Sequence, residues 1–137
     1  MSRQPDPPGG TWLGIIRRPT PEAFAAAFTE NAVLDTSAST RGVVGAESIR
    51  HFFDATRAMY ETIDFVHESV DGDRTFLEWE GTFQAKPIAG TTILARDANG
   101  AIESIRLYHR PYDQVVAFSA ELAVRLEGKV EPGTFHK

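Results

Sequence analysis

A histidine near the end of an apolar strand is the residue of this chain best suited to chemistry. An imidazole with an ordinary pKa of about 6.5 can act as an acid or a base near neutral pH. An Asn-Gly turn at residues 99–100 sets the register of a hairpin in which Gly90 lies opposite His109. In that register His109 shares the inward face with Thr92 and Leu107, and Gly90 leaves room for a ligand. His109 is therefore the first candidate catalytic residue, the alternative being a rim histidine bonded to a backbone carbonyl.

Three further polar side chains could support chemistry near His109. Asp35 and Thr36 close a weakly alternating strand over residues 31–36, and Tyr60 lies on a predicted helix. Strand alternation points Asp35 and Thr36 to opposite faces, which favours a simple strand-end role for the aspartate. Asp35 is kept as the second candidate catalytic residue, because a carboxylate at the mouth of a pocket can act as a general base.

Metal and cofactor sites are not expected. His51 and the pair His67-Glu68 have no partner at a metal-ligand spacing, and the sequence contains no carboxylate triad. Gly42 and Gly45 are too sparse for a phosphate-binding loop, and no dinucleotide-binding fingerprint occurs. We therefore predict no metal and no cofactor.

The composition is that of one globular domain: 137 residues, of which 42% are hydrophobic and 24% charged. The formal net charge of −5 comes from interspersed acidic and basic residues, so no basic stripe for nucleic acid and no cationic face for a membrane is expected. The chain has no cysteine, which is compatible with a reducing compartment. A polar, proline-containing N-terminus and the lack of a long apolar run predict a cytoplasmic protein.

Proline and glycine divide the chain into segments. Residues 1–10 hold three prolines and a Gly-Gly pair, which predicts a flexible lead-in to a single domain over residues 11–128. Residues 11–18 fit a short helix or an extended segment equally well. Residues 37–45 form a Ser/Thr/Gly-rich loop that could be a functional rim. Residues 129–137 are expected to form a frayed tail.

Three helices are predicted downstream of residue 18. The first begins with Thr20 as N-cap, followed by a proline, and should end near residue 29. The second begins at Ala46, and the third is capped by Asp113 and ends at Gly128. The residues of the second helix that recur at helical spacing, and should face the core, are Ile49, Phe52, Phe53, Thr56, Met59 and Tyr60.

Two hairpins supply a sheet of strands. The first turns at residues 71–72 with a loop of two, three or four residues, so the inward face of its second strand, Arg74–Phe83, stays open. The second is a type I′ turn at residues 99–100 that places Arg96 opposite Glu103. Helices followed by an antiparallel sheet and one more helix predict an α+β fold, with helices on one face of the sheet.

Four short stretches, in this order, resemble the SnoaL-like branch of the nuclear transport factor 2-like superfamily. They are residues 28–35, 45–53, 77–79 and 99–102. The resemblance implies a cone-shaped, curved antiparallel sheet wrapped around helices, with a pocket between them. It also implies a homodimer packed through the sheet. Members of this superfamily include ketosteroid isomerases, polyketide cyclases and epoxide hydrolases, and the fold alone does not choose among these activities.

The resemblance places no catalytic acid in this pocket. Thr36 stands where the isomerases have their carboxylate base, and Thr92 where isomerases and cyclases have a pocket aspartate. Trp12 stands at the position of the isomerases' oxyanion tyrosine and could donate one hydrogen bond from its indole. The cyclases' pocket histidine falls on Phe83, and the epoxide hydrolases' aspartate falls on Leu107. None of the three known chemistries is retained intact.

The resemblance also implies which face of the Arg74–Phe83 strand lines the pocket. It places Trp79 and Phe83 inward, which turns Glu78 and Glu80 to the convex face. The two glutamates are therefore interpreted as solvated or dimer-facing residues rather than a catalytic pair of carboxylates.

Three functions remain open. The first is binding of a small hydrophobic molecule without catalysis; the second is an isomerase, cyclase or dehydratase acting on a polyketide- or steroid-like substrate through His109. The third is a protein-interaction module that uses the convex sheet face. In the first two, affinity for an anionic ligand should rise as the pH falls through about 6.5. The predicted ligand-binding residues are Trp12, Thr36, Phe53, Tyr60, Trp79, Phe83, Thr92 and Leu107.

Overall fold

Six strands form one curved sheet, and four helices accompany it, in a computed structural model that describes residues 9–135. The helices are α1 (Gly10–Arg17), α2 (Pro21–Ala27), α3 (Ala46–Met59) and α4 (Tyr112–Arg125). The strands are β1 (Phe28–Thr36), β2 (Val43–Val44), β3 (Thr62–Asp71), β4 (Arg74–Phe83), β5 (Lys86–Arg96) and β6 (Ile102–Arg110). The predicted α+β class with a curved sheet is confirmed.

The strands are ordered β2-β1-β6-β5-β4-β3 across the sheet. All neighbours pair antiparallel except β1 and β6, which run parallel. The predicted antiparallel sheet therefore also contains one parallel pair. The chain segment between β1 and β6 contains α3 and the three-strand meander β3–β5, and it returns β6 alongside β1 in the same direction.

The N-terminal segment resolves into two helices. The sequence left residues 11–18 open between helix and extended structure; residues 11–17 belong to α1, which begins at Gly10 after the positive φ (68°) of Gly9, and Arg18 is its C-cap. Residues 1–8 of the predicted lead-in lie outside the described part of the chain. In α2 the Thr20 hydroxyl oxygen accepts a hydrogen bond from the backbone N–H of Ala23 at 3.1 Å, which confirms the cap. This helix ends before residue 29 because Phe28 already adopts extended backbone and starts β1.

For the two later helices, the predicted start of α3 is confirmed, whereas the predicted cap and end of α4 are wrong. α3 begins at Ala46, as predicted, and its apolar side faces the core. The N-cap of α4 is Pro111, not Asp113, because the Pro111 carbonyl already accepts the first helical hydrogen bond, from Val115 N–H at 3.0 Å. α4 ends at Arg125, short of the predicted end.

The β3–β4 hairpin has the two-residue loop among the three alternatives. Asp71 pairs with Arg74, and Gly72 in between has a φ of 59°. This loop length turns Trp79 and Phe83 inward and leaves Glu78 exposed, as the resemblance implied.

A turn that the sequence analysis missed joins β4 to β5. Phe83 pairs with Lys86, and the two residues between them, Gln84 and Ala85, both have positive φ (53° and 63°). The backbone N–H of Ala85 donates to a Glu61 carboxylate oxygen at 2.6 Å, which helps to hold this strained turn.

The β5–β6 hairpin keeps the predicted register near its open end and loses it near its turn. Gly90 lies opposite His109, as predicted, but Arg96 pairs with Ile102 rather than with Glu103, which is bulged. Gly100 alone in the turn has a positive φ (84°), so the turn is not type I′. The carboxylate of the preceding Asp97 accepts hydrogen bonds from two backbone N–H groups of the turn, which favours this alternative.

The C-terminal segment is packed rather than frayed up to its last described residue. Phe135 is buried, and its ring stacks on Phe52 with 5.9 Å between centroids. The hydroxyl of Thr40, in the loop before β2, donates to the carbonyl of Gly133 at 2.6 Å. Residues 136–137 of the predicted tail lie outside the described range. Within residues 9–135, no helix has the length and apolarity needed to span a membrane.

Candidate functional site

The aromatic rings that contact one another within residues 9–135 form two separate groups, and this division decides which predicted pocket residues meet. The first group lies between α1, α2, α3 and β1, and its members are Trp12, Phe24, Phe28, Phe52, Phe53 and Phe135. The second group, called here the histidine cluster, consists of Tyr60, Trp79, Phe83, His109 and Phe118. Trp12 and Phe53 were predicted to line one pocket with His109, but they belong to the first group.

The centre of the histidine cluster is a hydrogen bond between two side chains. The Tyr60 hydroxyl oxygen lies 2.8 Å from His109 Nε2, and either atom can donate, depending on the tautomer of the imidazole. The indole of Trp79 meets the imidazole edge-on with 5.3 Å between centroids. His109 is only 7% exposed, so the pair lies in an apolar, nearly dry environment.

Burial sets the charge states of both partners. Desolvation lowers the pKa of His109 from 6.5 to about 3 and raises the pKa of Tyr60 well above its usual range. Tyr60 as a residue is half-buried, but its hydroxyl group is shielded from solvent. Both groups are therefore neutral between about pH 5 and 8. The expected rise in affinity for an anion through pH 6.5 is corrected accordingly, because His109 does not gain a proton in that range.

One atom of this pair has no partner. His109 Nδ1 is buried without a hydrogen bond to any described residue. Whichever ring nitrogen carries the proton, Nδ1 is either an unsatisfied donor or an unsatisfied acceptor. Leaving such a group unpaired in a dry interior costs about 1–3 kcal/mol. Buried polar groups are normally paired, so this atom is a candidate contact for a ligand.

The inward space beside Gly90, predicted to leave room for a ligand, is occupied. A Cβ built on Gly90 would overlap the indole of Trp79 and the carbonyl oxygen of Tyr108. The glycine therefore lets the Trp79 ring lie directly on the inner surface of the sheet beside His109, and the open space at Gly90 is a groove of about 300 Å³ on the face that carries Tyr108 and Arg110.

An open cleft leads to the other side of Tyr60. It has a volume of about 360 Å³ and lies between α1, the end of α3 and the start of β3. Its apolar lining comes from Leu13, Ile16 and Ile63. The charged residues around it are Arg17, Arg57, Glu61 and Asp64. Tyr60 thus borders this cleft and, through its hydroxyl, contacts His109.

The remaining predicted residues do not converge on His109. Thr36 is buried, but its hydroxyl oxygen accepts a hydrogen bond from the backbone N–H of Ala38 at 3.2 Å. Asp35 is exposed on the opposite face of β1, so the expectation that it assists His109 is corrected. Thr92 and Leu107 are buried opposite each other on β5 and β6 and form part of the core under the helices.

Phe118 is the member of the histidine cluster that sequence reasoning missed as a site residue. It lies on the final helix, and nothing in a helical pattern shows which strand such a helix covers. No group of three or more His, Cys, Asp or Glu residues that could hold a metal ion occurs within residues 9–135.

The open, curved sheet with helices against it defines the nuclear transport factor 2-like class of folds. A family profile described as a SnoaL-like domain matches residues 11–124. The chain therefore belongs to the SnoaL-like family. A search of curated proteins found no match.

Solved structures agree with this assignment at the level of the fold. An uncharacterised bacterial protein of cystatin-like fold from Silicibacter pomeroyi DSS-3 has a TM-score of 0.78 at 13% identity, over 85% of this chain and 83% of that one. A steroid delta-isomerase from Pseudomonas aeruginosa has a TM-score of 0.76 at 20% identity, over 86% and 88%. A protein of ketosteroid isomerase-like fold from Catenulispora acidiphila DSM 44928, in complex with trimethylamine, has a TM-score of 0.59 at 20% identity, over 77% and 86%.

Proposed function

We propose that this chain binds a small, uncharged and mainly apolar molecule that carries one hydrogen-bonding group, at the histidine cluster and the adjoining cleft. The observation that carries the proposal is the unpaired Nδ1 of His109, buried among aromatic rings. A ligand hydroxyl or carbonyl that pairs with Nδ1 would remove the cost of leaving this atom unsatisfied. The surrounding rings would supply apolar contact, as is usual in small-molecule sites.

The charge states favour a neutral ligand. With the pKa of His109 at about 3, the imidazole offers no cation to an anionic group at neutral pH. Within the histidine cluster no carboxylate or cationic side chain is present, so an ionised ligand group there would be desolvated without a counter-ion.

Catalysis through His109 is the alternative, supported by the fold similarity to the steroid delta-isomerase from Pseudomonas aeruginosa. A base whose conjugate acid has a pKa of about 3 abstracts carbon-bound protons poorly at neutral pH. Asp35, on the other face of the sheet, cannot assist it. These two observations favour binding over proton transfer. Turnover of a ketosteroid by the purified protein, abolished in His109→Gln, would reverse this preference.

A matched pair of probes tests the binding proposal. 1-Naphthalenemethanol and 1-methylnaphthalene present the same ring system and differ by one hydroxyl group. We expect calorimetry to show about fivefold to tenfold tighter binding of the alcohol, because one net hydrogen bond contributes about 1 kcal/mol. His109→Phe should remove the preference, while His67→Phe, at an exposed position of β3, should keep it. Equal affinity for both probes in the unmodified protein would contradict the proposal.

We also propose that two copies associate through the convex face of the sheet. Support comes from half-exposed Tyr108 (45%) beside Arg110 on β6, and from a groove of about 300 Å³ that these residues share with Glu78 and Glu80. Apolar and oppositely charged groups on one face can complement each other across a two-fold axis. Sedimentation at micromolar concentration should show a dimer that Tyr108→Glu dissociates. Val124→Glu, at an exposed apolar position on α4, is the matched control. A monomer for the unmodified chain would refute the proposal.

A further inference from the structure

We propose that α4 is a movable cover over the histidine cluster, and that Phe118 occupies the place which a ligand ring takes when α4 swings away. This inference rests on the proposed function, since it describes how a ligand reaches His109. It also narrows the ligand class to planar ring compounds with one polar substituent, such as aryl alcohols and aryl ketones.

The position of the Phe118 ring is the first observation. The ring is fully buried, and its centroid lies 4.8 Å from that of His109, 5.2 Å from that of Tyr60 and 5.0 Å from that of Phe83. No other side chain of α4 makes a ring contact with this cluster. A flat ligand ring that packs against the imidazole from the same side must therefore replace Phe118.

The unpaired Nδ1 of the imidazole that Phe118 contacts is the second observation. Phe118 can offer His109 apolar contact but no hydrogen bond, and Nδ1 is left without a partner while α4 is in place. A ring with a polar substituent can offer both. The closed arrangement thus leaves unsatisfied a group that the proposed ligand class would satisfy.

The attachment of α4 is the third observation. Its polar anchors include the side-chain amide of Gln114, which donates to the carbonyls of Phe83 and Lys86 at 2.8 and 3.2 Å, and the hydroxyl of Ser119, which donates to the carbonyl of Ala38 at 2.6 Å. The outer side of the helix carries solvent-exposed apolar residues, Tyr112, Val116 and Val124. α4 also follows the last strand, so its displacement breaks none of the pairings among the six strands. The segment after α4 is held separately, by the bridge between Ser39 and Phe135 and the bond from Thr40 to Gly133, so the proposed motion is a displacement of α4 between two fixed ends.

The test measures whether ligand affinity rises or falls when α4 is loosened. A helix with only a structural role would not bind the ligand more tightly after it is loosened. If the ligand binds only the open state, the apparent dissociation constant equals the intrinsic one divided by the open fraction. Gln114→Ala removes one anchor of α4 and changes no ring of the cluster, since the bonds that are lost go to the backbone carbonyls of Phe83 and Lys86. We expect it to raise the open fraction, and hence the affinity for 1-naphthalenemethanol, about tenfold, which is equivalent to about 1.4 kcal/mol. A variant that is less stable but binds more tightly is the expected result.

The control is a variant that also loses stability but leaves the attachment of α4 unchanged. Thr20→Ala removes the N-cap of α2, far along the chain from the cover, and should leave the affinity unchanged. If Gln114→Ala binds with unchanged or lower affinity, the cover is refuted, while the preference of the unmodified protein for the alcohol over 1-methylnaphthalene still supports the proposed function. If the unmodified protein binds 1-naphthalenemethanol and 1-methylnaphthalene with equal affinity, the proposed function itself is refuted.

Hydrogen exchange on the unmodified protein gives a second measurement that does not depend on the variant folding. The backbone amides of α4 should exchange faster than those of α3, and saturating 1-naphthalenemethanol should speed exchange in α4. Slower exchange of α4 with the probe bound would overturn the inference, because the ligand would then favour the closed helix.

Discussion

Mild acid should destabilise this protein through one residue, His109. Its pKa is about 3 in the folded state and about 6.5 when the chain is unfolded, so between these values the unfolded chain binds a proton that the folded chain does not. A state that binds more protons is favoured as the pH falls. The contribution to stability is therefore intact above pH 6.5 and is lost progressively from pH 6.5 toward pH 3.

The size of the effect follows from the two pKa values. The free energy of unfolding should fall with a limiting slope of about 1.4 kcal/mol per pH unit below pH 6.5. Between pH 7.5 and pH 5 the loss from His109 alone amounts to about 2 kcal/mol. The free energy of unfolding of a domain is usually about 5–15 kcal/mol, so this loss is about a fifth of a mid-range value.

Urea unfolding followed by circular dichroism at several pH values between 7.5 and 5 measures this directly. His109→Gln should be less stable at pH 7.5 but should lose the steep fall, because an amide can still bond to Tyr60 and does not titrate. His67→Gln, at an exposed histidine, should keep the parent slope. Equal slopes in the parent and in His109→Gln would refute the reasoning, since His109 would then have the same proton affinity folded and unfolded.

Three further outcomes follow from the packing. Tyr60→Phe should lower the free energy of unfolding by about 1–3 kcal/mol in urea, because it leaves the second imidazole nitrogen unpaired as well. In thermal unfolding, Gly90→Ala should destabilise strongly, since its Cβ would overlap the backbone of β6. Gly14→Ala, on α1, should stabilise by about 0.5–1 kcal/mol, because apart from the adjoining backbone of its own helix no described atom lies within 4 Å of the added Cβ. A double-mutant cycle that exchanges the charges of Arg96 and Glu103 should give a coupling energy within about 0.5 kcal/mol of zero, because Arg96 pairs with Ile102 and its guanidinium donates to the Thr75 hydroxyl; a larger value would contradict the observed register.

The local pattern of the chain determined much of the architecture. The cap at Thr20, the helical repeat from Ala46 and the pairing of Gly90 with His109 were all read correctly, because each depends on residues close together in sequence. The inward direction of His109 follows from strand alternation for the same reason. The SnoaL-like resemblance rested on the order of such local pieces, and the family assignment confirms it.

Tertiary structure decided what surrounds those residues. Trp12 and His109 were expected to line one pocket, but helices pack Trp12 against a different set of rings. The same packing brings Phe118 against the imidazole and removes water from it, which shifts the pKa from 6.5 to about 3. Desolvation and ring contacts depend on which distant segments meet, and a periodic pattern records only that a side chain is buried. The chemistry open to His109 was therefore set by the rings packed around it, among them Phe118 of α4, a helix whose sequence showed no sign of that role.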